Sequence, residues 1–280
     1  MRTPLLLGLA LASLGTMLHA ETPEERGRYL VEGPAACGNC HTPKDETGQP
    51  LAGQNLAGSF VIEMPEFTSV APNITPGGEI AGWSDAEVAR AIREGMRPDG
   101  RLLGPPMPFE VYRHLSDSDV SAIVAYLRTL PAVENAVPIS EYRIPLPPAY
   151  GPPVETVADV PRGVTVEYGA YLAGPVAHCT SCHSPVGPQG PMIDTHLGQG
   201  GLAIEGPWGI SVVANITSHE DGLAGYTDAE IADMITKGMR PDGAPMMPPM
   251  PYGYLGNMSA DDLAALILYL RTIPPLPDAG

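Results

Sequence analysis

Two short segments carry the side chains best suited to redox chemistry: Cys37-Gly-Asn-Cys40-His41 and Cys179-Thr-Ser-Cys182-His183. They use all four cysteines of the chain. Four cysteines in an exported protein ordinarily suggest disulfides, but the two-residue spacing and the histidine directly after each pair point elsewhere. Cys-x-x-Cys-His is the attachment pattern for c-type haem: the thiols add across two vinyl groups, and the adjacent histidine stands under the iron. A bare Cys-x-x-Cys also serves as a redox dithiol or as half a zinc site. Zinc would need both motifs to converge on one metal, yet each sits at the start of its own repeat of the sequence. The expectation is two covalently bound haem c groups, with Cys37, Cys40, Cys179 and Cys182 as attachment points and His41 and His183 as proximal ligands.

The sixth ligand is sought among the methionines. A thioether on the iron raises the reduction potential relative to a second histidine and closes the site to exogenous ligands. Most of the 12 methionines should fill gaps in the core. Two pairs recur in both copies, Met107/Met250 and Met96/Met239. Met107 follows His41 by 66 residues and Met250 follows His183 by 67, each in a rigid proline-flanked loop. Met96 and Met239 follow the end of a helix and are the weaker pair, and Met246 and Met247 have no methionine counterpart in the first copy. Met107 and Met250 are the expected axial ligands.

The elements that must position these groups are written twice. Asn73-Ile-Thr75 returns as Asn215-Ile-Thr217 at the same offset of 142 as the cysteines. Arg97-Pro-Asp-Gly100, Pro106-Met-Pro108 and Leu127-Arg-Thr129 return at 143 as Arg240-Pro-Asp-Gly243, Pro249-Met-Pro251 and Leu270-Arg-Thr272. Each copy predicts three helices. The first lies just before the cysteines, around Glu24–Val31 and Glu167–Ala173. The second opens on the capping boxes Ser84–Glu87 and Thr227–Glu230 and ends at Gly95 or Gly238. The third starts near Ser116 or Ser259, each with an acid three residues on, and stops at Pro131 or Pro274. The expected fold is all-α: two tandem domains, 21–131 and 162–280, each about three short helices around one haem. Between them 132–161 is proline-rich and should be an extended, stiff connector lying against both domains.

Composition narrows the partners. With 33 prolines and 32 glycines the chain should favour short elements and defined turns. A net charge of −17 argues against nucleic acid, which needs basic patches, and suits a basic partner or simple solubility. Residues 1–20 read as a secretory signal: Arg2, an apolar run from Leu5 to Leu14, and Ala20 before a cut ahead of Glu21. Leu18 stands where a small residue is usual, so an uncleaved anchor is the alternative, although the run is short of the about 20 apolar residues of a membrane span. The expected location is the periplasm, with membrane association only through a partner or an uncleaved N-terminus.

The segments Asn73–Thr75, Gly82-Trp-Ser-Asp-Ala-Glu87, Arg97–Gly100, Pro106–Pro108 and Tyr126–Arg128 resemble the multihaem cytochrome c subunits of bacterial membrane-bound alcohol, aldehyde and gluconate dehydrogenases. The resemblance covers nearly all of the chain after the signal. It implies cytochrome c domains with the methionine of the Pro-x-Met-Pro segment on the iron, again Met107 and Met250. It also implies that the chain carries electrons from a partner dehydrogenase to an acceptor such as a cytochrome, a quinone-linked complex or an oxidase, and is not itself an enzyme. The chain departs from those subunits in having two haem motifs where they typically have three, and in lacking their C-terminal membrane-binding stretch. The competing expectation is a dihaem enzyme of the peroxidase or thiosulfate dehydrogenase type. That would need an open iron or a cysteine ligand, whereas both methionine loops are present and all cysteines are used in attachment. Arg97 and Arg240 could pair with haem propionates or be ordinary turn residues. Asn73 and Asn215 could fix the propionate-side loop or cap a turn. His178, with no counterpart in the first copy, is expected in a loop or at the surface.

Overall fold

The computed structural model describes residues 20–188, 190–206 and 208–279, so all of the expected signal except Ala20 lies outside the described residues. The first half runs α1 (Pro23–Glu32), α2 (Cys37–His41), β1 (Ser59–Glu63), β2 (Phe67–Ala71), α3 (Asp85–Glu94), α4 (Phe109–Tyr112) and α5 (Asp117–Thr129). β3 (Glu141–Tyr142) follows in the proline-rich stretch. The second half runs α6 (Val166–Tyr171), which widens over Leu172–Val176, then α7 (Cys179–Cys182), β4 (Val186–Gly187), β5 (Gly190–Pro191) and α8 (Ile193–His196). It ends with β6 (Ala203–Gly206), β7 (Gly209–Val212), α9 (Asp228–Lys237), α10 (Tyr252–Leu255) and α11 (Ala260–Leu270). Among the described residues no helix is long and apolar enough to cross a membrane.

The three helices expected in each copy are α1, α3, α5 and α6, α9, α11. Their ends follow the residues that specify them. Ser84 and Thr227 accept from the backbone N–H of Glu87 and Glu230, whose carboxylates accept in return from the cap backbone. Gly95 and Gly238 close the same helices in the left-handed region, at φ 67° and 63°. An all-α fold is only part of the architecture. Short helices α2, α4, α7 and α10 carry or adjoin the motifs, and the loop between cysteines and second helix folds into the antiparallel hairpins β1–β2 and β6–β7. Along β2 the side chains of Phe67, Ser69 and Ala71 are buried and the intervening ones half-exposed, a period of two that helical spacing does not capture.

In each half the first and last helices cross at a glycine. A Cβ on Gly27 would lie 1.9 Å from the carbonyl oxygen of Ala122, and one on Gly169 would lie 2.0 Å from that of Ala265. Hydrogen in place of a side chain lets α1 meet α5, and α6 meet α11, backbone to backbone. The apolar core is continuous between the halves, running from Leu30, Val31 and Leu127 to Leu172, Val176 and Leu270.

The halves are joined by an exchange of helix caps. Ser116 accepts from the N–H of Asp119 as an N-cap should, but the Asp119 carboxylate does not fold back to close a capping box. It takes a two-pronged bond from Arg26 of α1, at 2.8 and 2.9 Å, and a third from the Tyr171 hydroxyl of the other half at 2.7 Å. The Ser116 N–H that the carboxylate would have served donates instead to the Tyr171 oxygen, at 3.1 Å. The other half repeats this in reverse: Tyr29 donates to Asp262 at 2.6 Å and accepts from the Ser259 N–H at 3.2 Å. Burial first, and the carboxylate after it, push both phenols up, so they remain hydrogen-bond donors. Arg26 and Tyr168, which are equivalent in the repeat, meet at 3.5 Å. The contact has the self-complementary form of a two-fold dimer interface, built within one chain.

The proline-rich stretch 132–161 is extended, as expected, but among the described residues its hydrogen bonds run to the first half alone. Val133 accepts from Asn73, Asn135 donates to Ala57, Ser140 bonds Val70, Arg143 bonds Glu63, and Val157 accepts from Asp117. The halves also pack directly on each other through the shared apolar core, against which Val160 of this stretch lies.

Replacing Tyr171 by Phe removes a hydrogen bond to a buried carboxylate and strands the Ser116 N–H. Such losses are worth about 1.5–3 kcal/mol. Tyr171→Phe and Tyr29→Phe should each lower the unfolding free energy from urea denaturation by that order without changing secondary structure by circular dichroism.

Candidate haem-attachment sites

Each cysteine motif follows a residue held in the left-handed region, Ala36 at φ 47° and His178 at φ 43°. Neither is glycine, so each turn carries a backbone cost of about 1–2 kcal/mol. The turn brings the chain out of α1 or α6 and directly into the short helix bearing the cysteines. All four thiols are free, and Cys37 and Cys179 pack against the apolar core. Burial, with the neighbouring Cys40, pushes the Cys37 thiol up to about 12. Burial, with Cys182, does the same at Cys179, also to about 12. A redox dithiol depends on a thiol whose pKa is lowered, and burial acts on these two thiols in the opposite direction. Among the described residues no three His, Cys, Asp or Glu side chains converge as a metal-binding group.

The histidines are set the same way twice. The Nδ1 of His41 lies 2.8 Å from the carbonyl oxygen of Pro72, and that of His183 lies 2.7 Å from that of Ala214. A carbonyl only accepts, so Nδ1 carries the proton and Nε2 keeps its lone pair. Burial lowers both imidazoles below their usual value despite the carbonyl's opposing pull. The neutral form with Nε2 free is the form that ligates a metal. Paired protonated thiols and an oriented imidazole fit the chemistry of a covalently attached haem.

The loops after the histidines are pinned at matching atoms. The carbonyl of His41 accepts from Gly58 N–H at 2.7 Å and that of His183 from Gly200 at 2.8 Å. Asn73 accepts from Thr75 and donates to Val133 O at 2.7 Å, while Asn215 accepts from Thr217 and donates to Leu276 O at 2.8 Å. These asparagines staple the loop to the chain beyond the last helix, which is the turn-capping role. Arg97 forks onto Glu79 and lies over the Trp83 ring, 5.2 Å from its centroid.

Met107 and Met250 are half-buried against the core in their proline loops, immediately before α4 and α10. The competing pair is less even: Met96 is half-buried, but Met239 is 38% exposed. Met246 also packs on the core, whereas Met247 is 46% exposed.

The two attachment segments face each other. A Cβ on Gly38, between Cys37 and Cys40, would meet the Tyr254 hydroxyl at 2.3 Å. The Tyr112 ring meets the His178 imidazole edge-on at 5.8 Å. Cys182 stands close to Glu110 and Cys40 of the other half, near enough for both to act on its thiol. His178 lies, as expected, in the loop before α7, half-buried in the contact between the halves, with Ala35 hydrogen-bonded beside it. Repetition alone could not reveal this role, because the opposite residue at the equivalent position is Ala36.

Residues 25–131 match the family model for cytochrome c. The chain is 36% identical over 172 residues to a subunit of the nicotinate dehydrogenase of Pseudomonas putida, covering 58% of this chain and 14% of that protein. It is 29% identical to the cytochrome c subunit of the quinone-dependent alcohol dehydrogenase of Gluconobacter oxydans, covering 97% of this chain and 60% of that subunit. The chain thus spans less than two thirds of the length of either relative. A diheme cytochrome c-type protein of Cereibacter sphaeroides is 28% identical, with 86% and 82% covered.

Burial lowers the His178 imidazole to about 4. Between that value and the unfolded value of about 6.5, the unfolded chain binds a proton that the folded chain does not, so stability falls as pH drops through this window. Urea midpoints measured from pH 7 to pH 4 should fall less steeply for His178→Phe than for the unaltered chain.

Proposed function

We propose, starting from residues 25–131 as a cytochrome c domain, that the chain is a periplasmic dihaem c-type cytochrome relaying single electrons from a dehydrogenase to a downstream acceptor. Its signal is 1–20, its two cytochrome c domains are 21–131 and 162–280, and 132–161 connects them. The observation that carries the proposal is the twofold occurrence of one arrangement: a thiol pair followed by a histidine whose Nδ1–H is tied to a carbonyl, at Pro72 and at Ala214.

Haem iron supplies reversible one-electron chemistry. The residues of this chain attach, orient and enclose it. Cys37 and Cys40, and Cys179 and Cys182, provide the thioether links. His41 and His183 offer Nε2 to the iron, and the carbonyl on Nδ1 fixes the ring and strengthens it as a donor. Met107 and Met250, in loops held by flanking prolines, would supply thioether ligands to the iron. Apolar packing around both motifs excludes water and favours the less charged state of each site.

The relatives named for alcohol and nicotinate dehydrogenases support a dehydrogenase as electron donor. A cytochrome, a quinone-linked complex or an oxidase would take the electrons onward. An acidic chain of net charge −17 would find a basic docking surface fastest at low ionic strength.

The purified chain should contain two haems by the pyridine haemochrome assay, and Cys37→Ala with Cys40→Ala should leave one. The reduced protein should bind no carbon monoxide, whereas Met107→Ala should bind one equivalent. A high-spin fraction that binds carbon monoxide in the unaltered chain would instead indicate a dihaem enzyme.

A further inference from the structure

The two attachment sites repeat in their ligating residues and backbone but not in charge. Lys44 follows His41 by three residues, and Val186 stands at the same place after His183. The Lys44 ammonium donates to the Oδ1 of Asn39, at 3.1 Å, inside the first cysteine motif. Burial raises the Cys40 thiol, and the Lys44 charge draws it back. Asp45, the next residue, is turned into its own loop, where it accepts from Thr47 and Gln49.

The opposite charge stands at the other site. Glu110 lies on α4, which packs against Leu172–Val176 of the second half. Two residues on, the Tyr112 ring meets His178, directly before Cys179. Glu110 is half-buried and comes near enough to Cys182 to act on its thiol. Arg113, one turn along the chain, donates instead to the carbonyls of Tyr150 and Pro152. At the equivalent place on α10 the residue is Gly253, beside the Tyr254 whose hydroxyl reaches Gly38 of the first motif. Each half thus rests a short helix on the motif of the other, but only the first half brings a carboxylate.

A cation near a haem favours its reduced, less positive state, and an anion favours its oxidised state. Lys44 at the first site and Glu110 at the second therefore act in one direction. The histidines do not oppose them, since their bonds from Nδ1 to a carbonyl are alike at 2.8 and 2.7 Å. We propose that Lys44 and Glu110 hold the first haem above the second in reduction potential, so that electrons pass from the second half to the first. In that step the second iron goes from ferrous to ferric as the first goes from ferric to ferrous. The reduced donor then resupplies the second site, and the oxidised acceptor takes the electron from the first. The proposal rests on the reading of the chain as a dihaem relay and gives that relay a direction.

Potentiometric titration of the full haem-loaded chain, followed by its visible spectrum, tests this. The unaltered chain should titrate in two one-electron waves. Glu110→Gln should raise the lower wave and Lys44→Gln should lower the upper one, each leaving the other wave in place. Each should reduce the equilibrium constant for electron transfer from the second haem to the first by about threefold, or about 28 mV at about 59 mV per tenfold. Glu110→Asp, which keeps the charge, should leave both waves where they are. A Cβ on Gly253 would meet nothing within 4 Å, so Gly253→Glu, which adds a carboxylate at the twin position, should lower the upper wave. A single unsplit wave in the unaltered chain would overturn the proposal, as would a Glu110→Gln effect on the upper wave, on both waves equally or on neither. Fewer than two haems per chain would overturn the relay reading as well, whereas two haems with unresponsive waves would overturn this proposal alone.

Discussion

Each half of this chain begins its last helix with an incomplete cap, and the other half completes it. The tyrosine hydroxyl does two things at once, accepting from the serine N–H and donating to the aspartate three residues on. Both aspartates are thereby freed from local capping to act across the interface. Since Tyr29 and Tyr171 lie on the helices that lead into the cysteine turns, this exchange also fixes the direction in which each motif faces. The close glycine crossings of α1 with α5 and of α6 with α11 transmit that orientation to the rest of each half.

A buried polar network of this kind is not chosen for stability alone. The Arg26–Asp119 pair loses hydration that its attraction only partly offsets, and an apolar replacement of both partners could be as stable. Its satisfied hydrogen bonds instead make one relative orientation of the halves cheaper than any other. In the function we propose, two haem sites would exchange electrons at a rate set by distance, and a single fixed orientation would serve such a relay directly. The neighbouring apolar surface, from Leu30 through Leu172 to Leu270, supplies the bulk of the driving force.

Much of this is legible in the sequence, for identifiable reasons. Capping boxes at Ser84 and Thr227, and glycines after their helices, are local signals, and the helices begin and end where those residues require. The repeat pairs Tyr29 with Tyr171 and Ser116 with Ser259, yet nothing local says that a tyrosine of one copy caps a helix of the other. That contact is non-local and depends on packing. The hairpins escape a sequence reading because one face of each is half-buried over only four or five residues, too short a period to stand out. The proline-rich stretch is legible as extended but not as a strap on one half, since its partners are backbone groups of Val70, Pro65 and Leu103 with no sequence signature. His178 is legible as a loop residue but not as part of the inter-half contact: lacking a twin, it has no repeat to explain it, and that place arises from the asymmetry itself.

On the function proposed above, two equivalent haem sites are held facing each other by this cap exchange. Electron paramagnetic resonance of the fully oxidised protein tests it most directly. If the sites face each other, the low-spin signals should be broadened by mutual magnetic coupling and should sharpen when either cysteine pair is replaced by alanine. A spectrum of the unaltered protein equal to the sum of the two single-site variants would contradict the account.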